Sequence, residues 1–236
     1  MFVKVLYDNR GRRGFKTGAG FSCLVDGKIL FDTGEDARSL LENMSRMKVS
    51  MGKIKAVVVS HDHWAHTGGL WGILKKKKSI KVYACPKFGD EFKTCVKELK
   101  GDLVLTEEFT EIDKNVFVTG EIGASYKGKY MSEQALVIKG DKGISVITGC
   151  AHPGVARIVK NAKRRFEEEK LYMVLGGFHL GGLERAKVDR LISDFREMGV
   201  KKIGPAHCSG DMAIRVIKGQ YGRNFAQVGA GSIVEV

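Results

Sequence analysis

The chain has 236 residues, 43% of them hydrophobic and 28% charged, and carries no low-complexity tract, so it can bury a substantial core as one large domain or two small ones. Forty Lys and Arg against 27 Asp and Glu leave a net charge of +13, which points to an anionic partner, either a phosphate ester or a nucleic acid. Five cysteines without a CxxC pair argue against a disulfide framework and for free thiols in a reducing cytoplasm, and neither a membrane span nor a signal peptide is visible.

Apolar runs and amphipathic stretches alternate along the chain. Residues 3–7, 21–25 and 28–31 read as strands, and Ala37, Leu40, Leu41 and Met44 then follow one-face helical spacing. A strand at 56–60 leads into His61-Asp62-His63-Trp64-Ala65-His66, after which a helix is predicted to open at Gly68-Gly69. Strands at 80–84 and 103–106 flank a helix marked by Phe88, Phe92, Cys95, Val96 and Leu99. Strands at 116–119, 135–139 and 144–148 follow, the last two joined as a hairpin through Gly140-Asp141-Lys142-Gly143. Val155, Ile158, Val159, Ala162 and Phe166 mark a helix with Pro153 in its first turn. Strands at 173–175, 202–204 and 225–228 alternate with a helix carrying Val188, Leu191, Ile192 and Phe195, and Ser209 is a predicted cap. Two halves, about 1–115 and 116–236, are separated by no linker composition, so the expectation is a single α/β domain. Strand runs that are apolar on both sides fit two mixed sheets packed face to face with helices outside.

All six histidines fall after apolar runs: His61, His63 and His66 together, then His152, His179 and His207. Donors gathered at the carboxyl ends of buried strands are what a metal site in an open α/β sheet requires. Histidines two apart can face one cation, and the third, beyond the turn, can reach a neighbouring one. Neutral imidazole suits zinc and iron. Solvent-facing histidines after a strand are the alternative, and this clustering weighs against it. Cys150 and Cys208 lie within two residues of His152 and His207. Thiolate ligation would suit zinc, but small buried residues beside a tight turn are the preferred reading. Basic residues also cluster, at Arg10, Arg12, Arg13 and Lys16, along residues 75–78, and along the helix at 157–165. The run at 75–78 reads best as a solvated face.

The segment from His61 to His66 resembles the HxHxDH signature of the metallo-β-lactamase superfamily. Phe31-Asp32-Thr33-Gly34 is similar to that fold's first motif, and His152 in Gly149-Cys150-Ala151-His152 and His207 in Ala206-His207-Cys208 are similar to its later histidine ligands. The resemblance spans essentially the whole chain and implies a four-layer αββα sandwich with one or two divalent ions, zinc first by donor type, with iron, manganese or magnesium as alternatives. It implies His61, His63 and His152 on one ion, His66 and His207 on a second, and Asp32 behind the metal loop as an orienting group. Leu6-Tyr7-Asp8-Asn9, Gly20-Phe21-Ser22, TGCAHPG and GGFHL further resemble the subgroup containing dihydropterin–ribofuranosylaminobenzene phosphate synthase.

Position 65 holds alanine where the superfamily motif has an aspartate that binds the second ion. Asp62 has the wrong parity to replace it. The departure leaves three explanations open: a natural single-metal variant, a degenerate relative that binds ligand without turnover, or a replaced aspartate that traps substrate. His179 stands near where many superfamily members have a bridging aspartate, so it is a candidate proton donor, second-site donor or substrate contact, against a purely structural role. Arg10, Arg12 and Arg13 are candidates for an anion-binding rim, against a flexible surface loop. The expected function is a metal-dependent hydrolase of a phosphorylated or anionic small molecule. A pterin-type synthase, a metal-dependent nuclease or phosphodiesterase, and an impaired ligand-binding variant are the alternatives. Self-association is left open.

Overall fold

The computed structural model describes residues 1–236. β1 (Phe2–Tyr7), β2 (Ser22–Val25) and β3 (Ile29–Phe31) form an antiparallel meander. From β3 the chain runs through α1 (Ala37–Arg46) to β4 (Ala56–Val58), and through α2 (Trp64–Thr67) and α3 (Leu70–Lys76) to β5 (Lys81–Ala84). It then passes α4 (Asp90–Glu98) to β6 (Asp102–Leu105), so that β3, β4, β5 and β6 lie parallel. α1 begins where the Asp36 carboxylate accepts from the Arg38 and Ser39 backbone N–H groups, satisfying donors that have no partner within the helix.

β7 (Thr110–Asp113) and β8 (Val116–Val118) open a second sheet, and β9 (Ile122–Tyr126) and β10 (Lys129–Glu133) fold out as a separate hairpin. β11 (Leu136–Gly140) and β12 (Gly143–Thr148) form the hairpin anticipated at 140–143. α5 (Val155–Arg165), β13 (Leu171–Gly177), α6 (Arg185–Glu197) and β14 (Lys202–Ala206) continue as parallel strand–helix units. α7 (Asp211–Tyr221) follows, and β15 (Ile233–Glu235) crosses back to pair antiparallel with β1. The first sheet thus runs β15-β1-β2-β3-β4-β5-β6 and the second β14-β13-β12-β11-β8-β7.

Three apolar clusters define four layers. Val5, Phe21, Phe31 and Val58 of the first sheet meet Val118, Leu136, Ile147 and Leu175 of the second. The outer face of the first sheet packs Leu30, Val57 and Val82 on Leu40, Ile73 and Val96 of its helices. That of the second packs Val146 and Val174 on Ile158, Ile192 and Ile217. Strands buried on both faces explain why their sequences are continuously apolar rather than alternating.

Several boundaries differ from the sequence reading, each for a local reason. Residues 225–228 make a single bridge, Phe225 with Ile203, with the Ala226 N–H donating to the Ile203 carbonyl at 2.8 Å, and form no strand because the pairing goes no further. The helix after the histidine motif starts at Trp64 rather than at Gly68-Gly69, and both glycines keep right-handed helical angles into α3. Gly154 at φ 92° caps α5, which leaves Pro153 outside the helix, and Gly210 rather than Ser209 precedes α7. The Ser209 hydroxyl instead donates to the Ala206 carbonyl at 2.7 Å. β7, β9, β10 and β15 carry too few apolar residues to announce themselves. β9 and β10 join through Lys127-Gly128, both at positive φ, a two-residue turn compatible with strand twist.

Gly20, at φ +115°, lies against the backbone of α2, and a Cβ there would stand 1.8 Å from the Ala65 carbonyl oxygen. The substitution Gly20→Ala is therefore expected to lower stability by at least about 2 kcal/mol, measured by urea denaturation. A loss below about 0.5 kcal/mol, the range of surface changes, would show that this approach is not tight in solution.

Candidate metal centre

β4, β12, β13 and β14 all run parallel to a neighbour, and their carboxyl ends open at one edge of the sandwich. His61 follows β4 through Val59-Ser60, His152 follows β12, His179 follows β13 and His207 follows β14. Their rings converge. His61 lies 4.8 Å from His63 and 4.8 Å from His152, with His63 and His152 5.3 Å apart between centroids. His66 sits 4.1 Å from His61 and 5.0 Å from His207, and His179 sits 4.7 Å from His152. Imidazoles drawn from four distant stretches of chain share one pocket.

Four of the six rings, those of His61, His66, His152 and His207, are oriented from behind. The buried Asp32 carboxylate accepts from the Ser60 N–H and hydroxyl, both at 2.7 Å, and pairs with His66 Nδ1 at 2.7 Å. With its proton committed to Asp32, the Ser60 oxygen is left to accept from His61 Nδ1 at 2.8 Å. That tautomer leaves His61 Nε2 a bare acceptor, and this atom is buried with no hydrogen-bond partner. An unpartnered buried nitrogen costs about 1–3 kcal/mol unless something binds it, and a cation meets the requirement. Asn9 Oδ1 lies 2.7 Å from His207 Nδ1, and Asp8 accepts from the His207 N–H at 2.9 Å.

Glu133 orients the other side. Its buried carboxylate accepts from the N–H groups of Cys150, Ala151 and His152 at 3.1, 2.7 and 2.8 Å, and pairs with His152 Nδ1 at 2.9 Å. Burial alone would raise its pKa, but the His152 bond and the backbone donors hold it below the usual carboxylate range. Backbone strain gathers here too. Asp32, Ala151, His179 and His207 occupy the left-handed region at φ 51°, 63°, 52° and 48°, which hydrogen bonds from several elements sustain.

Burial and the neighbouring imidazoles push His61 far down and His207 down to about 3, so both are neutral donors near pH 7. His66 moves the other way: burial opposes its charge, but Asp32 outweighs burial. Imidazoles whose Nδ1 atoms are engaged from behind, with carboxylates behind His66 and His152, form a donor set that fits a divalent ion.

The remaining sequence candidates fall as follows. Ala65 is on α2 with its carbonyl against Gly20, and Asp62 turns away to accept from the Gly89 N–H at 2.7 Å. His179 is half-buried, with an unpartnered Nδ1 and its N–H donated to Cys208 Sγ at 3.3 Å. Arg10 pairs with Asp211 at the start of α7, while Arg12 and Arg13 are exposed without an ion-pair partner. Glu133, Ser60 and Tyr126 were not singled out in the sequence, and Asn9 was noted only within the Leu6-Tyr7-Asp8-Asn9 motif, without its partner His207. The Tyr126 ring covers the pocket at 4.6 Å from His152, 5.4 Å from His179 and 5.8 Å from His63. The available signal was Glu133 itself, an acid two residues before the apolar run 135–138.

The model of the beta-lactamase superfamily domain matches residues 28–123. A 7,8-dihydropterin-6-methyl-4-(β-D-ribofuranosyl)-aminobenzene-5'-phosphate synthase from Methanocaldococcus jannaschii is 30% identical over 88% of this chain and 84% of its own length. The crystal structure of Tm1679, described as a metal-dependent hydrolase of the beta-lactamase superfamily, superposes with a TM-score of 0.84 at 29% identity, covering 100% of this chain and 99% of that one. The metallo-β-lactamase fold protein YhfI from Bacillus subtilis gives a TM-score of 0.70 at 13% identity over 100% of this chain and 98% of its own, a likeness of fold.

Proposed function

This chain belongs to the metallo-β-lactamase superfamily, and from that premise we propose that it is a metal-dependent hydrolase acting on a phosphorylated or otherwise anionic small molecule. The observation that carries the reading is the buried, unpartnered His61 Nε2, its ring beside those of His63, His66 and His152. His61, His63 and His152 would hold one divalent ion, and His66 and His207 would contribute to a second. When bound, such an ion supplies Lewis acidity, polarising phosphoryl or carbonyl oxygen and lowering the pKa of water to about 7. The protein's own groups do the rest. Asp32 and Glu133 would fix the His66 and His152 tautomers, and the Tyr126 ring beside His63, His152 and His179 would line the substrate side of the pocket. His179, half-buried with its ring 4.7 Å from that of His152, would hold a proton for a leaving oxygen. The net charge of +13 favours an anionic substrate.

A second reading, condensation of a pterin diphosphate with a phosphorylated aryl riboside, is favoured by the 30% identity to the synthase-named relative. In that reaction the same cationic pocket would neutralise a departing diphosphate rather than activate water.

The test is turnover by the full chain after chelation and after reloading with zinc, using a phosphodiester and, separately, the pterin diphosphate with its aryl riboside phosphate. Cation-dependent release of an alcohol supports the first reading, and cation-dependent condensation the second. His61→Ala is expected to lower either rate on the order of a thousandfold, the several kcal/mol that a Lewis acid contributes. Turnover indifferent to chelation, or a protein that takes up no cation, would overturn the proposal.

A further inference from the structure

We propose that Cys150 is a ligand of the second cation and that its thiolate supplies the negative charge missing at Ala65. The inference rests on the metal-enzyme reading above and concerns which side chain completes that centre. Among the donors at the His66 and His207 end of the pocket, both imidazoles are neutral in the form that binds a cation, and the methyl group of Ala65 offers nothing. Two neutral nitrogens hold a divalent ion poorly.

Cys150 lies two residues beyond the end of β12, on the loop that carries His152, and is buried. Its Sγ belongs with donor atoms of His66 and His207 to a group whose members all lie within 4.8 Å of one another, and to a like group with His61 and His152. The sulfur therefore stands between the two sets of imidazoles. It lies 3.3 Å from His66 Nε2. Two ligands of one tetrahedral zinc, at about 2.3 Å for sulfur and 2.0–2.1 Å for nitrogen, stand roughly 3.5 Å apart, so this spacing already fits a shared ion. Because Asp32 engages His66 Nδ1, the His66 Nε2 lone pair faces that sulfur. Independently, the unpartnered Nε2 of His61 shows the pocket to be short of a cation.

The neighbouring thiol is differently placed. Cys208 Sγ accepts from the His179 N–H at 3.3 Å and lies 3.6 Å from the Cys150 carbonyl oxygen, so it is engaged in holding the two loops together. Cys208, the less buried of the two thiols, groups with Cys150 and His179 rather than with His66 and His207. A soft anionic sulfur also narrows the ion, favouring zinc or cobalt over magnesium or manganese. Binding displaces the thiol proton to solvent, leaving the sulfur as the coordinating anion.

The experiment is cobalt(II) titration of the full chain after chelation, read by absorption and by bound metal. The second equivalent is expected to bring a thiolate-to-cobalt charge-transfer absorption in the near ultraviolet. Cys95→Ser and Cys208→Ser should keep the absorption. Cys150→Ser should lose it and bind the second equivalent at least roughly tenfold more weakly. Adding Ala65→Asp to Cys150→Ser should restore the second equivalent without restoring the absorption. Should Cys150→Ser fail to fold, the wild type and Cys208→Ser still decide the matter. The proposal is overturned if the loaded wild type shows no charge-transfer absorption, if the absorption survives in Cys150→Ser, or if it disappears with Cys208→Ser. In all three cases the metal-enzyme reading stands, whereas failure to take up any cobalt removes both.

Discussion

Glu133→Ala is expected to cost about 3–5 kcal/mol of stability in the chelated protein, the loss seen when one partner of a buried charged network is removed. Its carboxylate is the sole side-chain acceptor for three successive N–H groups, those of Cys150, Ala151 and His152, and it fixes the His152 ring. Each buried donor left unsatisfied costs about 1–3 kcal/mol, and the loop must either open to water or carry that loss. Glu133→Gln keeps an acceptor oxygen and should lose less. Urea denaturation with chelator present measures this free of any contribution from bound cation. A loss below about 1 kcal/mol for the alanine variant would mean that the loop finds other partners.

Asp32→Asn is expected to leave the fold in place and to weaken cation binding by roughly 10–100-fold, the range for groups that orient metal ligands. The amide can still accept from the Ser60 N–H. Its NH2 then faces the Ser60 hydroxyl and His66 Nδ1, where the carboxylate stood at 2.7 Å. A donor opposite Nδ1 drives the His66 proton to Nε2, which removes the lone pair needed for coordination, and the reversed Ser60 hydroxyl disturbs His61 as well. Competition with a chromophoric chelator reads the affinity, and imidazole nitrogen shifts read the tautomer. Unchanged affinity with an unchanged His66 tautomer would show that Asp32 does not set the donor state.

The layered architecture and the six imidazoles were legible because both leave local marks. Strands covered on two faces are continuously apolar, and donors at strand ends fall in short segments such as His61-Asp62-His63. What holds those donors was not legible. Asn9 meets His207 across 198 residues of chain, and Glu133 reaches a loop 17 to 19 residues ahead through a hairpin turn. No periodicity connects such pairs. The hairpin carrying Tyr126 escaped notice because it stands outside both sheets and is half exposed, with Lys127-Gly128 in place of the Asn-Gly or Asp-Gly turn that would have marked it. Cys150 is buried, as the sequence reading of small buried cysteines expected, but its closeness to His66 Nε2 spans 84 residues of chain and leaves no local mark.

The return of β15 to the edge of β1 bears on how the molecule is made. During synthesis the N-terminal sheet emerges with β1 as an open edge, and residues 233–235 that cover it are translated after every other strand. His207 is likewise translated late, long after His61. A nascent chain thus carries an uncovered β1 edge until residues 233–235 have been made, so the first sheet cannot close on that side while the earlier strands are emerging.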